Sequence, residues 1–486
     1  MATLLLAAAI GACWQALDQT GRPTQAVAWG GIGVTVYAAS LLCLVGAGRG
    51  MSLGLGSWRL GSWTMLWYGV SFGLATLTWL QPQTGSATQI SLASLPPALW
   101  LVATGMTLWS LGYLACPARP GRRLASRVTA MLARRFATKV RSPLAPWILY
   151  AIGSAARVAF ALTTGSFGYV GNVQSVVTTA SGYQQALNVL GSCGPLAVAA
   201  AALQVYRERL PGARVTLCVL FVAELAFGAA SGYKQNVILT ILAVAVPYTL
   251  TRRRMHKGLL IFAVLVVMLV VIPFNQAYRN VARGPTGTLS TGEALSAAPA
   301  ILAHTIGNRD ISGALSASAS YLLIRVRNID GPAIIMQRTP GQIAFTSPIQ
   351  LAEAPLVSLV PRAIWPDKPI IDTGYQFSQD YYELPSSVIT ASAITPVGDL
   401  YRHGGWIPVI IGMFLLGCVT RFLDDGMDVL GNPYAAFLFI LLFPPFVNQE
   451  DDWAALLAAI PSTLLVWLLA IYLTFRRADR SSLTVR

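Results

Sequence analysis

Long apolar runs alternate with short polar connections along most of the chain; most have the length that crosses about 30 Å of hydrocarbon as a helix, and the seventh and eighth, which share one polar turn, are short. The runs predict twelve spans, near residues 2 to 17, 26 to 47, 61 to 80, 96 to 115, 145 to 164, 184 to 206, 215 to 230, 236 to 250, 258 to 274, 405 to 420, 433 to 447 and 454 to 475. A bilayer interior offers no water to backbone groups, so such segments satisfy their own hydrogen bonds as helices, and the pattern predicts an all-α polytopic membrane protein. No basic residue precedes the run 2 to 17 and no small-residue cleavage site stands out, so it is expected to be a span rather than a cleaved signal. The alternation stops between spans nine and ten. Residues 275 to 404 hold no convincing spanning run, which divides the chain into 1–274 with spans one to nine, a loop domain 275–404, and 405–486 with spans ten to twelve.

Composition sharpens this picture. Hydrophobic residues make up 55% of the chain and charged residues only 11%, against roughly 25% charged in a soluble domain. The six cysteines fall in or at the ends of apolar runs, where they are expected to pack rather than to form an extramembrane disulfide framework. Basic residues mark the side on which connections stay in the cytoplasm. The tract 117–142 carries eight basic residues and no acidic one, and RER at 207 to 209, TRRRMHK at 251 to 257 and FRRADR at 475 to 480 also follow even-numbered spans. Their agreement predicts cytoplasmic N- and C-termini and places the loop 275–404 outside. The net charge of +15 thus reads as a topology signal with some attraction to anionic lipid, and calls for no nucleic acid. The tract 117–142 is also expected to form an amphipathic surface helix, with Leu124, Val128, Met131, Leu132 and Phe136 on one side and arginines on the other.

The loop's charges balance, nine Lys plus Arg against nine Asp plus Glu, and stretches such as YLLIRVRNIDGPAIIM (321 to 336) predict an ordered domain. Within it, VPRAIWPDKP (360 to 369) sets Arg362, Asp367 and Lys368 among three prolines that fix the backbone. Rigidly placed cations suit a phosphate or diphosphate, and a Pro-rich interfacial turn with snorkelling cations is the other reading. GDLYRHGG (398 to 405) brings Asp399, Tyr401, Arg402 and His403 to the entry of span ten. His403 could exchange a proton near neutral pH, or serve the fold alone. Three further outward features are Lys234 in SGYKQN (231 to 236), Arg279 and Arg283 after span nine, and Glu450, Asp451 and Asp452 in NQEDDW (448 to 453), the last read mainly as a solvated turn. Arg157 and Glu224 lie inside predicted spans, where ionisable groups usually face the bundle interior. LDDGMD (423 to 428) has the spacing of a magnesium diphosphate site, but one copy in a short loop is weak, and the outer carboxylates lack metal-ligand spacing. No metal and no cofactor is predicted.

SGYKQN, a Tyr-Arg pair after the following span, PRxxWPDKP and GDLYRHGG running into a helix, in a many-spanned protein with its largest loop before the last spans, resemble the bacterial Wzy-type O-antigen and exopolysaccharide repeat-unit polymerases. The resemblance is densest from about 231 to 410. It implies a GT-C-like glycosyltransferase of the bacterial cytoplasmic (inner) membrane that joins undecaprenyl diphosphate-linked oligosaccharides on the outer face, without metal. It also allows a chain-length-regulating copolymerase as partner. On this reading Arg362 and Lys368 hold the diphosphate with Arg279, Lys234, Arg402 and Tyr401 nearby, Asp367 positions the cations, and Asp399 or His403 orients or deprotonates the acceptor hydroxyl. An O-antigen ligase would use the same donor with another acceptor, and a transporter of the same lipid-linked sugar would use Arg157 and Glu224.

Overall fold

The computed structural model describes residues 2–19, 21–47, 58–167, 170–171, 182–232, 234–254, 258, 261, 265–284, 287–288, 292–293, 296–297, 299–301, 303, 311–360, 365, 373–385 and 391–477. They form a helical bundle. In chain order the helices are α1 (Ala2–Asp18), α2 (Pro23–Ala47), α3 (Leu60–Tyr68), α4 (Leu95–Ala115), α5 (Ala118–Arg135), α6 (Ala145–Thr164), α7 (Gly182–Gly191), α8 (Cys193–Leu203), α9 (Ala213–Ser231) and α10 (Lys234–Arg252). There follow α11 (Ile272–Ala282), α12 (Ile311–Arg325), α13 (Asp330–Arg338), α14 (Ile349–Leu359), α15 (Thr373–Tyr382), α16 (Pro396–Arg402), α17 (Trp406–Gly426), α18 (Pro433–Phe443) and α19 (Trp453–Thr474).

Among the described residues, seven helical stretches are long and apolar enough to cross a membrane: Pro23–Leu44, Leu92–Ala115, Ala145–Thr164, Ala186–Glu208, Ala213–Ser231, Trp406–Gly426 and Trp453–Thr474. Two shorter apolar helices, Ala2–Asp18 and Pro433–Asn448, coincide with the first and eleventh predicted spans. The third predicted span is helical but irregular, since α3 widens at Gly69–Gly73 and tightens to a 3₁₀ helix at Leu74–Leu80. The eighth is the helix α10, and the ninth is described only in part.

Small residues let the central helices approach closely, as expected where lipid supplies no hydrophobic drive between them. A Cβ on Gly112 would collide with the carbonyl of Phe414, and one on Gly417 with the carbonyl of Trp109, so α4 and α17 cross backbone to backbone.

Polar contacts gather at two ends of the bundle. At one end Asp424 and Asp425 meet Arg59 and Tyr113, Tyr434 Oη donates to the carbonyl of Phe136 at 2.9 Å, and the strand β1 (Phe136–Val140) pairs antiparallel with β2 (Phe475–Arg477). At the other end Gln337 accepts from Ser91 N, and Arg327 reaches Thr78 and Gln83. Each end collects connections that the charge parity assigns to one side, so sequence and packing agree on which connections belong together.

Candidate functional site

The segment after α12 folds back onto the second of these ends. Arg327 donates to Asp330 Oδ2 at 3.0 Å and to Gln83 Oε1 at 2.7 Å, with its guanidinium 4.7 Å from the centre of the Trp79 ring. Asn328 donates to the carbonyls of Ser71 and Asn448, so one turn of the predicted loop domain is stitched to the helical stretches of the third and eleventh predicted spans. From there α13 supports α16: Gly331 lies against the carbonyl of Ala393, and a Cβ at Gly398 would lie 3.0 Å from Ile335 Cδ1.

α16 carries the first five residues of GDLYRHGG, with His403 at its C-terminal cap, and packs inside the bundle. Val397 Cγ2 would be 3.0 Å from a Cβ at Gly105, half-way along α4, while Leu400 fills the space left at Gly412 on α17. Residues Pro396 to Tyr401 are all buried. The sequence expectation placed these side chains at the membrane entry. Val397 and Leu400 dip between the flanking helices at their glycines, while Asp399 and His403 stay at helix ends, against the first residue of α19 and just before α17.

The start of α16 is strained. Thr395 is fully buried with φ 68° and ψ 146°, a conformation that costs a β-branched residue about 1–3 kcal/mol and persists only where neighbours impose it. Its N–H donates to the carbonyl of Glu450 at 3.4 Å, its carbonyl accepts from Asp399 N at 2.9 Å, and its hydroxyl accepts from Gly398 N at 3.3 Å. At the other end Gly404 and Gly405, with φ of 142° and 71°, turn the chain sharply into α17 in a conformation that glycine alone adopts freely.

Held between these ends, Asp399 is the hub of the cluster. Its Oδ1 accepts from Arg402 Nε at 2.7 Å and lies 3.5 Å from His403 Nδ1, and its Oδ2 accepts from Trp453 N at 3.0 Å. Asp399 and His403 are 2% and 4% exposed. His403 Nδ1 lies 2.8 Å from the carbonyl of Asp399, and with Nδ1–H donating there, Nε2 carries the ring's lone pair. With both carboxylate oxygens engaged, Asp399 orients Arg402 and His403 better than it could act as a base. Tyr401 packs its ring edge-on against Phe345 and Trp406, with centroids 6.1 and 6.0 Å away, and Thr346 N donates to the carbonyl of Arg402. Burial raises the phenol of Tyr381, which feels the charges of Arg402 and Asp399 and shares a 2.8 Å hydrogen bond with Thr339.

The turn 449–452 closes against this cluster, a role its acidic composition did not reveal. Asp452 caps α19 by accepting from Ala455 N at 2.7 Å, which places the N–H of Trp453 on Asp399. Crowding by the surrounding protein, with the like charges of Asp452 and Glu450 beside it, pushes the carboxyl of Asp451, whose surface still meets water, up to about 6. A carboxyl tuned to that range is suited to exchange protons near neutrality.

Other predicted residues fall elsewhere. Arg362, Asp367 and Lys368 lie outside the described residues; of their stretch, Val360 ends α14 and Trp365 is exposed. Lys234 opens α10 and Arg279 lies on α11, with both side chains outside the described part. Arg157 and Glu224 find each other: Nη1 and Nη2 donate to Oε2 and Oε1 at 2.8 and 2.6 Å, beneath Phe227 and against Gly194. At the far end, Asp424 of LDDGMD accepts from the N–H groups of Leu60 and Gly61 and from Tyr113 Oη, at 2.7, 3.0 and 2.7 Å. Asp425 pairs with Arg59 and Arg421, and Asp428 caps the turn at Gly431. These carboxylates are spent on the fold.

A family model described as a domain of unknown function, DUF8712, matches residues 144–447. The chain belongs to that family. The DUF8712 segment contains the Arg157–Glu224 pair and the whole of α16, whereas the turn with Asp451 and the helix α19 follow it. No curated protein and no solved structure matches the chain.

Proposed function

We propose that this DUF8712 member is a polymerase that joins undecaprenyl diphosphate-linked oligosaccharide repeat units on the outer face of the bacterial cytoplasmic membrane. The observation that carries the reading is the buried Asp399–Arg402–His403 cluster on α16. It belongs to GDLYRHGG, one of the motifs through which the sequence resembles Wzy-type polymerases, here arranged as an oriented cation beside an oriented imidazole. Buried ionisable groups in a membrane protein are costly to keep, which makes such a cluster a functional-site candidate by default.

In the proposed reaction the acceptor hydroxyl oxygen attacks the anomeric carbon of the donor chain, the carbon–oxygen bond to the diphosphate breaks, and undecaprenyl diphosphate leaves with the electron pair. His403 Nε2 takes the hydroxyl proton. Arg402, with Arg362, Lys368, Lys234 and Arg279, answers the charge developing on the leaving diphosphate, an effect that is strongest in a site poor in water. Asp399 holds Arg402 and His403 in position, Tyr401 shapes the wall, Asp367 sets the cations, and Asp451 adds a second proton-exchanging group. On this reading the bundle is a GT-C-like fold of about twelve spans with both termini cytoplasmic, and the basic end bearing α5 faces the cytoplasm.

The transport reading loses its main support in the bidentate Arg157–Glu224 pair, whose two charges neutralise each other between packed helices. An O-antigen ligase reading shares the donor chemistry and differs in its acceptor. Incubating the purified protein in nanodiscs with the host's undecaprenyl diphosphate-linked repeat unit separates the readings. A lipid-linked ladder spaced by one repeat unit supports a polymerase, transfer only to an added non-lipid acceptor supports a ligase, and movement across the bilayer without new bonds supports a transporter.

A further inference from the structure

Between α5, the end of α17, the length of α18 and the middle of α19 lies an apolar groove of about 410 Å³, lined by Leu124, Val128, Leu132, Phe422, Leu438 and Trp467 among others. Its size falls within the ~300–1,000 Å³ of ordinary ligand pockets. It belongs to the end of the bundle that carries Asp424, and α17 separates it from His403. Its mouth is open and hydrophobic: Leu124, Met131 and Leu468 are 49%, 59% and 46% exposed.

The α5 side of this groove carries only positive charge, while Asp428, exposed next to the lining residue Met427, accepts from the N–H of Gly431. Arg123, Arg127 and Arg134 are exposed, and their separations of four and seven residues place them within about 40° of arc on one flank of α5. That flank adjoins Leu124 and Met131, the exposed apolar edge of the groove. No acidic residue occurs in 117–142 to neutralise it, and Asp424 and Asp425 near the start of α5 are already held by Arg59, Tyr113 and Arg421. An apolar slot open beside a row of three arginines complements a molecule with a hydrocarbon tail and an anionic head.

We propose that this groove binds one anionic glycerophospholipid from the adjoining leaflet, with an acyl chain along Leu132, Val128 and Leu438 and its phosphate against Arg123, Arg127 and Arg134. The arginine fork matches phosphate oxygens in geometry as well as charge. The site is separate from the reaction proposed above and stands whether or not that reading holds.

Native mass spectrometry of the detergent-purified full chain, titrated with phosphatidylglycerol or with phosphatidylcholine of the same acyl chains, tests it. The site predicts at least tenfold tighter binding of one phosphatidylglycerol. That preference is lost in R123Q/R127Q/R134Q, whose changes are all on the surface, and binding of this lipid is blocked in V128W, which fills the groove. Equal retention of the two lipids by the wild-type chain, an unchanged preference in the triple variant, or displacement by soluble glycerophosphoglycerol alone would overturn the proposal.

Discussion

The backbone N–H of Trp453 donates to Oδ2 of Asp399 at 3.0 Å, so the first turn of α19 is tied directly to the short helix that carries Arg402 and His403. Helix N-termini present unsatisfied N–H groups and favour an anionic partner. Here the partner is a buried carboxylate whose other oxygen holds Arg402, so the geometry of the cation depends on a helix that follows it by some fifty residues.

Replacing Asp399 with Asn keeps the shape and removes the charge. Because a buried guanidinium then loses its counter-ion, D399N is expected to lower stability by about 3 kcal/mol. Thermal unfolding in detergent measures this, and D399N/R402Q should recover much of the loss. A D399N protein as stable as wild type would show that the carboxylate does not hold Arg402.

Asp451 gives a pH prediction with a definite sign. Its folded carboxyl titrates at about 6, above its ordinary value of 3.8, so the folded state binds the proton more tightly and stability falls as pH rises through that interval. D451N removes this effect: its melting temperature should exceed wild type at pH 7 to 8 and match it near pH 4. If Asp451 also exchanges protons in turnover, the acid limb of the activity profile near pH 6 disappears in D451N.

The Arg157–Glu224 pair is predicted to be structural. E224Q leaves a buried guanidinium without its counter-charge and should cost about 3–5 kcal/mol, whereas an apolar double replacement such as R157M/E224L should lie near wild type. Polymer formation should survive in the double variant. Its loss in a protein that melts normally would return these residues to the functional site.

At the opposite end, Asp424 should matter far more than Asp428. Asp424 serves two backbone N–H groups, Tyr113 and Arg59, whereas Asp428 caps one exposed turn. D424N is expected to destabilise by about 2–4 kcal/mol and D428A by under ~1 kcal/mol, read from thermal unfolding. Comparable effects of the two would contradict this assignment.

Much of the bundle was legible because apolar length alone decides it: Ala145–Thr164 coincides with the fifth predicted span, and Trp453–Thr474 nearly matches the twelfth. The convergence of Asp399, Arg402 and His403 was also legible, since the three lie within about one helical turn of one another. The seating of α16 between its neighbours was not. The slot for α16 depends on Gly105 and Gly412, which are 307 residues apart in sequence and become neighbours only on packing. The turn at Glu450 to Asp452 read as a solvated connection for the same reason, because its contacts with Thr395 and Asp399 are long-range. Conversely, LDDGMD carried a recognisable spacing, yet its partners Arg59 and Tyr113 come from elsewhere in the chain and make it a structural clasp. Arg362, Asp367 and Lys368 lie outside the described residues, so their place in the site rests on the sequence resemblance.

The central claim is that the cluster on α16 performs glycan transfer, and His403 is its most direct test. Wild-type protein and H403Q, matched for melting temperature and monodispersity, are incubated with the undecaprenyl diphosphate-linked repeat unit, and the products are resolved by mass. The account predicts a lipid-linked ladder from the wild type and a rate lower on the order of 10²-fold or more in H403Q. A ladder formed at the wild-type rate by H403Q, or no chain growth by a wild-type protein that binds the substrate, would contradict it.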